Sequence, residues 1–244
     1  MKMPFRDRLT IFFRSLSVQA SWNFPRMQGL GFFHVLAPWL RKVSGERFQE
    51  ACRRHLGYFN THPFFVPYVA GVVARLEQEG KGEESIHTRN SMMGPLGALG
   101  DGLFWANVRP AAVLIAVAVS FHWPWAAAPV LLVAFNAIHL PEMWDGIGAG
   151  FRSSDHPFEA ISTRRGKSIS SYSGHLVMPA CGFILGAAAF RSQTPVPVFV
   201  LFGLGVLLFH RKLKLPSVFG FLLAAALLLG AAGVRMRLPW FRLN

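Results

Sequence analysis

With 52% hydrophobic and only 15% charged residues over 244 positions, the chain is apolar even for a globular protein and carries far less charge than the usual quarter. Its net charge of +13 does not read as a nucleic-acid footprint, because the basic residues flank apolar segments: Arg152, Arg164, Arg165 and Lys167 before one, Arg211, Lys212 and Lys214 between two others. Cys52 and Cys181 lie far apart in a basic segment and an apolar run, which excludes a metal-binding spacing and a disulfide framework.

The first element predicted is an amphipathic helix over 5–18, with Leu9, Phe12, Phe13 and Leu16 at helical spacing and Arg6, Arg8 and Arg14 mostly off that stripe. Such a helix suits the membrane interface, and the apolar region is too short, and interrupted by Arg14, for a cleaved leader. Pro25, Gly29, Gly31 and Pro38 break the next stretch into short pieces. Residues 46–59 then read as a helix with Phe48, Cys52 and Leu56 on one side and Arg53, Arg54 and His55 near its C-terminal end, where cations suit the helix dipole. "NTHP" (60–63) punctuates it: Asn60 or Thr61 caps the next helix and Pro63 opens its first turn. That helix, "FFVPYVAGVVARLEQE", is apolar first and charged last. The polar run 77–91 follows, as a solvated loop or a short acidic helix.

"MMGPLGALGDGLFWANVRP" (92–110) places four glycines (Gly94, Gly97, Gly100, Gly102) around a lone acid, Asp101. An acid in an apolar stretch is costly unless capped, paired or functional. Asp101 either caps a helix starting at Gly102 or pairs with Arg109, or it faces a polar solute path at a broken helix, together with Asn107. "AAVLIAVAVSFHW" and "AAAPVLLVAFNAIHL" are each short for a full crossing and read as a re-entrant pair or tilted hairpin. A polar cytoplasmic connection over 140–168 precedes three apolar segments, 174–190, 195–209 and 215–234. The last holds no charge and is long enough to cross a hydrocarbon core of about 30 Å. The positive-inside rule puts 152–167 and 211–214 on the cytoplasmic side.

The predicted fold is therefore an all-α integral membrane protein. Residues 1–92 form an interfacial, cytoplasmic-side helical half. Residues 93–151 form a glycine-rich membrane region of broken or re-entrant helices, and 152–244 about three transmembrane helices. No catalytic motif survives inspection. "RRGKS" (164–168) lacks the upstream glycine of a phosphate-binding loop, since position 161 is Ile. "GPLGALGDG" is no dinucleotide fingerprint. There is no H-E-x-x-H and no G-x-S-x-G, and His55 and His62 lack a third metal ligand. No cofactor and no metal are expected.

Four stretches carry a resemblance. "SWNFPRMQGLGF" (21–32), "RHLGYFNTHPFF" (54–65) and "MGPLGALGDGLFWANVRP" (93–110), with a weaker fourth, "FNAIHLPEMWDGIGAGF" (135–151), resemble the signature blocks of the IID membrane subunit of the mannose/fructose/sorbose-type sugar phosphotransferase system, or PTS. The likeness covers roughly residues 10–151, and the part after about residue 152 matches poorly. It implies a bacterial inner-membrane, multi-pass subunit that joins a IIC subunit, as a trimer of IIC–IID pairs, to translocate a hexose of the mannose, fructose, sorbose or glucosamine type. Cytoplasmic IIA and IIB phosphocarriers would phosphorylate the sugar. It also implies that the phosphohistidines sit on those partners and that His55, His62 and His87 are not phosphorylated. The alternative is a non-transporting membrane scaffold or sensor in a reduced, regulatory PTS. Asn60, Thr61, His62, Asp101 and Asn107 are the candidates for a substrate path or subunit interface. Pro63, Gly94, Pro95, Gly97 and Gly100 are the candidates for shaping backbone.

Overall fold

The computed structural model describes residues 3–154 and Pro157, all within the first of two compact units, Met1–Ala180. The three C-terminal segments expected after residue 152 lie outside the described residues. Among the described residues every regular element is helical: α1 (Phe5–Ser15), α2 (Gly29–Ser44), α3 (Phe48–His55), α4 (Val66–Gln78), α5 (Gly82–Gly100), α6 (Arg109–Ser120) and α7 (Ala127–Arg152). Short 3-10 turns precede α3, α4 and α7, and a π-helix, Asp101–Val108, joins α5 to α6.

α4 is the centre. It is apolar on all sides except at its end, which is the signature of a helix surrounded by others. Val66, Val69, Ala70, Val72, Val73, Ala74 and Leu76 are fully buried. Its crossing with α7 is backbone on backbone. A Cβ on Gly71 would lie 2.3 Å from the Ile147 carbonyl oxygen, and one on Gly150 would lie 2.2 Å from that of Tyr68. Small residues at such a crossing let two helices approach closely where lipid surrounds them. α2 packs on α4 through Phe32, Val35, Leu36 and Leu40, and the Trp39 indole donates to the Ala74 carbonyl at 2.8 Å.

The proline expected to break this region sits inside α2. Pro38 has no N–H to give the His34 carbonyl one turn back. Arg14 supplies the missing donor, its Nη1 reaching that carbonyl at 2.9 Å. α1 leaves most of its expected apolar stripe facing outward, and only Phe12 departs from it. Ile11, Ser15 and the partly buried Phe12 face the core, while Phe5, Leu9, Phe13 and Leu16 are exposed. Phe12 points inward because Trp144 of α7 meets it edge to face at 5.6 Å, and Arg8 stacks on the same indole and donates to the Trp144 carbonyl.

The glycine-rich block interrupts the α-helical ladder without breaking the rod. α5, the π-helix and α6 run on as one helix of 39 residues, Gly82–Ser120. Pro110 lacks the N–H that would bond to Ala106, and its ring crowds that carbonyl. The widened turns lie directly before it, and the Arg109 N–H bonds to the Phe104 carbonyl five residues back. The two apolar runs that look short alone are thus the ends of longer helices, Gly82–Ser120 and Pro124–Arg152, both long and apolar enough to cross a membrane. "LPEMWDGIGAGF", expected in the polar connection, continues α7, because its glycines and Ile147 pack on α4. Trp123 and Trp125 are exposed at the hairpin tip, as aromatics at a membrane–water boundary are.

Candidate functional site

The segment 59–65 is where the chain's distant parts meet. Phe59 stacks on Phe32 of α2 at 4.0 Å between ring centroids. Thr61 exchanges two hydrogen bonds with the Gln28 carboxamide: Gln28 Nε2 donates to the Thr61 carbonyl at 2.8 Å and the Thr61 N–H donates to Oε1 at 3.2 Å. Its hydroxyl donates to the Met93 carbonyl of α5 at 3.0 Å. The Asn60 N–H meets the Met93 sulfur at 3.3 Å. Phe64 stacks on His139 of α7 at 4.3 Å. All the buried backbone polar groups of Thr61 are thereby partnered, which a turn passing under three helices requires.

His62, rather than Asn60 or Thr61, caps the next helical turn. Its Nδ1 accepts the Phe64 N–H at 3.4 Å, and Pro63 follows at the first position as expected. This fixes the neutral tautomer with hydrogen on Nε2, a buried atom that finds no partner among the described residues. The ring lies flat on Phe104, 5.1 Å away and tilted by 15°, with Phe64 and Trp105 beside it. It occupies the space that a side chain on Gly100 would need: a Cβ there would come within 2.2 Å of the imidazole Cγ. Burial pushes the His62 pKa down to about 4, against the opposing pull of the Asp101 carboxylate. The ring is neutral at physiological pH.

Asp101 is exposed and sits within a continuous helix, so it caps no break. Arg109 lies over the Trp105 ring, its guanidinium carbon 5.4 Å from the centroid. Asn107 turns back along the π-helix, its Nδ2 donating to the Gly102 carbonyl. Gly94 and Gly97 have open space where a Cβ would go, unlike Gly100. The structure therefore brings Thr61, His62, Pro63 and Gly100 together in a buried joint. Asn60 and Asp101 are exposed polar residues beside it, and Asn107 serves its own helix.

A second polar cluster was missed by the sequence reading. Glu77, at the end of α4, is 7% exposed and accepts from Arg54 Nη2 at 2.8 Å, His55 Nε2 at 2.9 Å and the Ser85 hydroxyl at 2.9 Å. Burial alone would raise its pKa, but the hydrogen bonds from His55, Arg54 and Ser85 prevail and hold it at about 2. Burial lowers the His55 pKa, only partly offset by the Glu77 bond. The available signal was an acid ending an apolar helix, in reach of the "RRH" of α3. Among the described residues no three His, Cys, Asp or Glu side chains are grouped to hold a metal ion.

A profile described as the PTS system mannose/fructose/sorbose family IID component matches residues 2–188. The chain belongs to this family. Among relatives of this IID chain, the mannose-specific EIID component of Escherichia coli K12 is 31% identical over 159 residues, which is 62% of this chain and 56% of that protein. The fructose permease IID component of Bacillus subtilis is 26% identical over 204 residues, 80% of this chain and 73% of that one. The sorbose-specific EIID component of Lacticaseibacillus casei is 34% identical over 141 residues, 54% of this chain and 50% of that one. The IID chain thus spans just over half the length of the first of these relatives. Its fold is similar to a chain of the mannose transporter ManYZ solved with microcin E492, with a TM-score of 0.59 and 23% identity over 95% of this chain and 96% of that one. A second solved membrane protein gives a TM-score of 0.66 and 25% identity over 96% of this chain and 97% of that one. With these relatives and its two long apolar helices, the IID chain is a membrane protein. The four blocks that carry the resemblance are the four that interlock at 59–65.

Proposed function

We propose that the chain is the membrane subunit of a mannose-type PTS permease which, with a IIC subunit, translocates a hexose while cytoplasmic IIA and IIB subunits phosphorylate it. Family membership over residues 2–188 is the observation that carries this reading. Relatives named for mannose, fructose and sorbose support a hexose substrate. The chain acts in the bacterial inner membrane, crossing it more than once, as part of a trimer of IIC–IID pairs. Its own part is non-catalytic: His55 and His62 are buried and unsuited to receive a phosphoryl group, in keeping with phosphohistidines on the partners.

Within this reading Asn60 and Asp101 are the polar groups for the solute path or the IIC interface, because they are exposed where Thr61 and His62 are not. An acid at membrane depth is costly and marks function more often than packing. Uptake of labelled mannose, fructose and sorbose by vesicles, measured alongside copurification of the IIC subunit, tests this. Asp101→Ala and Asp101→Asn are both expected to lower uptake several-fold while the complex still assembles, since no cap exists for Asn to preserve. Wild-type uptake in both variants would remove Asp101 from the path.

A further inference from the structure

Arg89 of α5 is only 3% exposed. Arginine is almost never buried to that degree without an acid beside it. Here Nε and Nη2 donate to the Asn90 Oδ1 at 3.2 and 3.0 Å, and Nη1 reaches the Arg54 carbonyl at 3.4 Å. Both acceptors are neutral. Among the described residues no carboxylate forms an ion pair with Arg89. Glu77 does not compensate for it, because its oxygens are taken by Arg54, His55 and Ser85. Glu50 bonds to Arg54 and is largely in water. The cluster thus buries one more cation than anion.

Space for the missing charge is present. Gly57 is exposed, in the turn that follows α3. A Cβ placed on it would meet nothing within 4 Å except Arg89 Nη2, at 3.9 Å. Its φ is not positive, so backbone conformation does not demand glycine there. A guanidinium has five N–H donors in a planar fork suited to carboxylate or phosphate oxygens. The three hydrogen bonds above leave two of them, one on each Nη.

We propose that Arg89 and Gly57 form an oxyanion site: a carboxylate or phosphate group that the described chain does not supply enters through the gap left by the absent side chain of Gly57 and neutralises the buried guanidinium. The net charge of +13 favours approach of such a group from solution or from an anionic lipid. The inference does not depend on which sugar, if any, the chain helps to move.

The unfolding temperature of the full-length protein in an uncharged detergent tests it, at constant ionic strength. The probes are inorganic phosphate and acetate against chloride, and phosphatidylglycerol against phosphatidylcholine in mixed micelles. At saturation the wild-type chain is expected to gain about 3 °C from at least one probe. A gain from phosphate or acetate identifies a soluble anion, and a gain from phosphatidylglycerol alone identifies a lipid headgroup. Gly57→Glu, which supplies the carboxylate from within, is expected to start from a higher temperature than wild type and to gain nothing further. Arg89→Gln is expected to lose the response. No gain with any probe, an equal gain in Gly57→Glu, or a lower starting temperature for Gly57→Glu would each overturn the proposal. The Gly57→Glu comparison decides the matter even where Arg89→Gln fails to fold.

Discussion

His62 shows how a residue chosen as a polar candidate acquires a different role once its neighbours are known. It is a helix cap and a flat apolar surface, and Gly100 is small to admit it. Gly100→Ala is therefore expected to displace the imidazole and destabilise the chain by about 1–3 kcal/mol. Gly97→Ala, with open space around it, is expected to be neutral or to stabilise by up to about 1 kcal/mol through helix propensity. Paired denaturation curves check both. The buried histidine also sets a pH dependence. Its pKa falls from an ordinary 6.5 to about 4 on folding, so between those values the unfolded chain holds a proton the folded chain refuses. Stability is complete above pH 6.5 and is expected to fall by on the order of 3 kcal/mol as pH drops to 4. His62→Asn, which keeps a capping side chain, is expected to flatten that part of the profile. Glu77 acts in the same direction lower down: its contribution is complete above its ordinary 4.5 and is lost as pH falls towards 2. Glu77→Gln is expected to cost about 3–5 kcal/mol at neutral pH by leaving Arg54 without its buried counter-ion, which thermal unfolding would register.

At the scale of elements, the crossing of α4 and α7 is the joint most sensitive to side-chain size. Gly71→Leu or Gly150→Leu is expected to abolish stable folding, whereas Gly146→Ala, with 3.5 Å to the Tyr68 Cβ, is expected to be tolerated. Yield of monodisperse protein in detergent separates the two outcomes. Much of this level was legible in the sequence. Helical periodicity, the apolar runs and Pro63 opening a helix follow from local chemistry, whereas the four blocks are legible only through their resemblance to a family. The rest depended on contacts between distant residues. Pro38 is tolerated inside α2 because Arg14 satisfies the carbonyl it abandons. Phe12 turns away from the exposed stripe of α1 because Trp144 is waiting for it. The glycine-rich block widens into a π-helix before Pro110, where its glycines alone read as a break. Thr61 and His62 look available in the sequence and are buried in the fold, because Gln28, Met93 and Phe104 close over them.

Among the described residues, a helical body centred on α4 holds the base of two long apolar helices, and the segment 59–65 ties them together. The Glu77 cluster lies at the charged end of α4 and the start of α5. The apolar faces of α6 and α7, including Ile115, Leu132 and Val133, are left exposed, as lipid or partner contact requires. Accumulation of labelled sugar phosphate inside proteoliposomes containing a IIC subunit, with IIA, IIB and a phosphoryl donor on the cytoplasmic side, tests this reading most directly when the chain is included or omitted. The result expected is accumulation of one or more hexose phosphates only when this chain is present. Equal accumulation without it, or none with it although the IIC–IID complex has assembled, would contradict the assignment as a transport subunit.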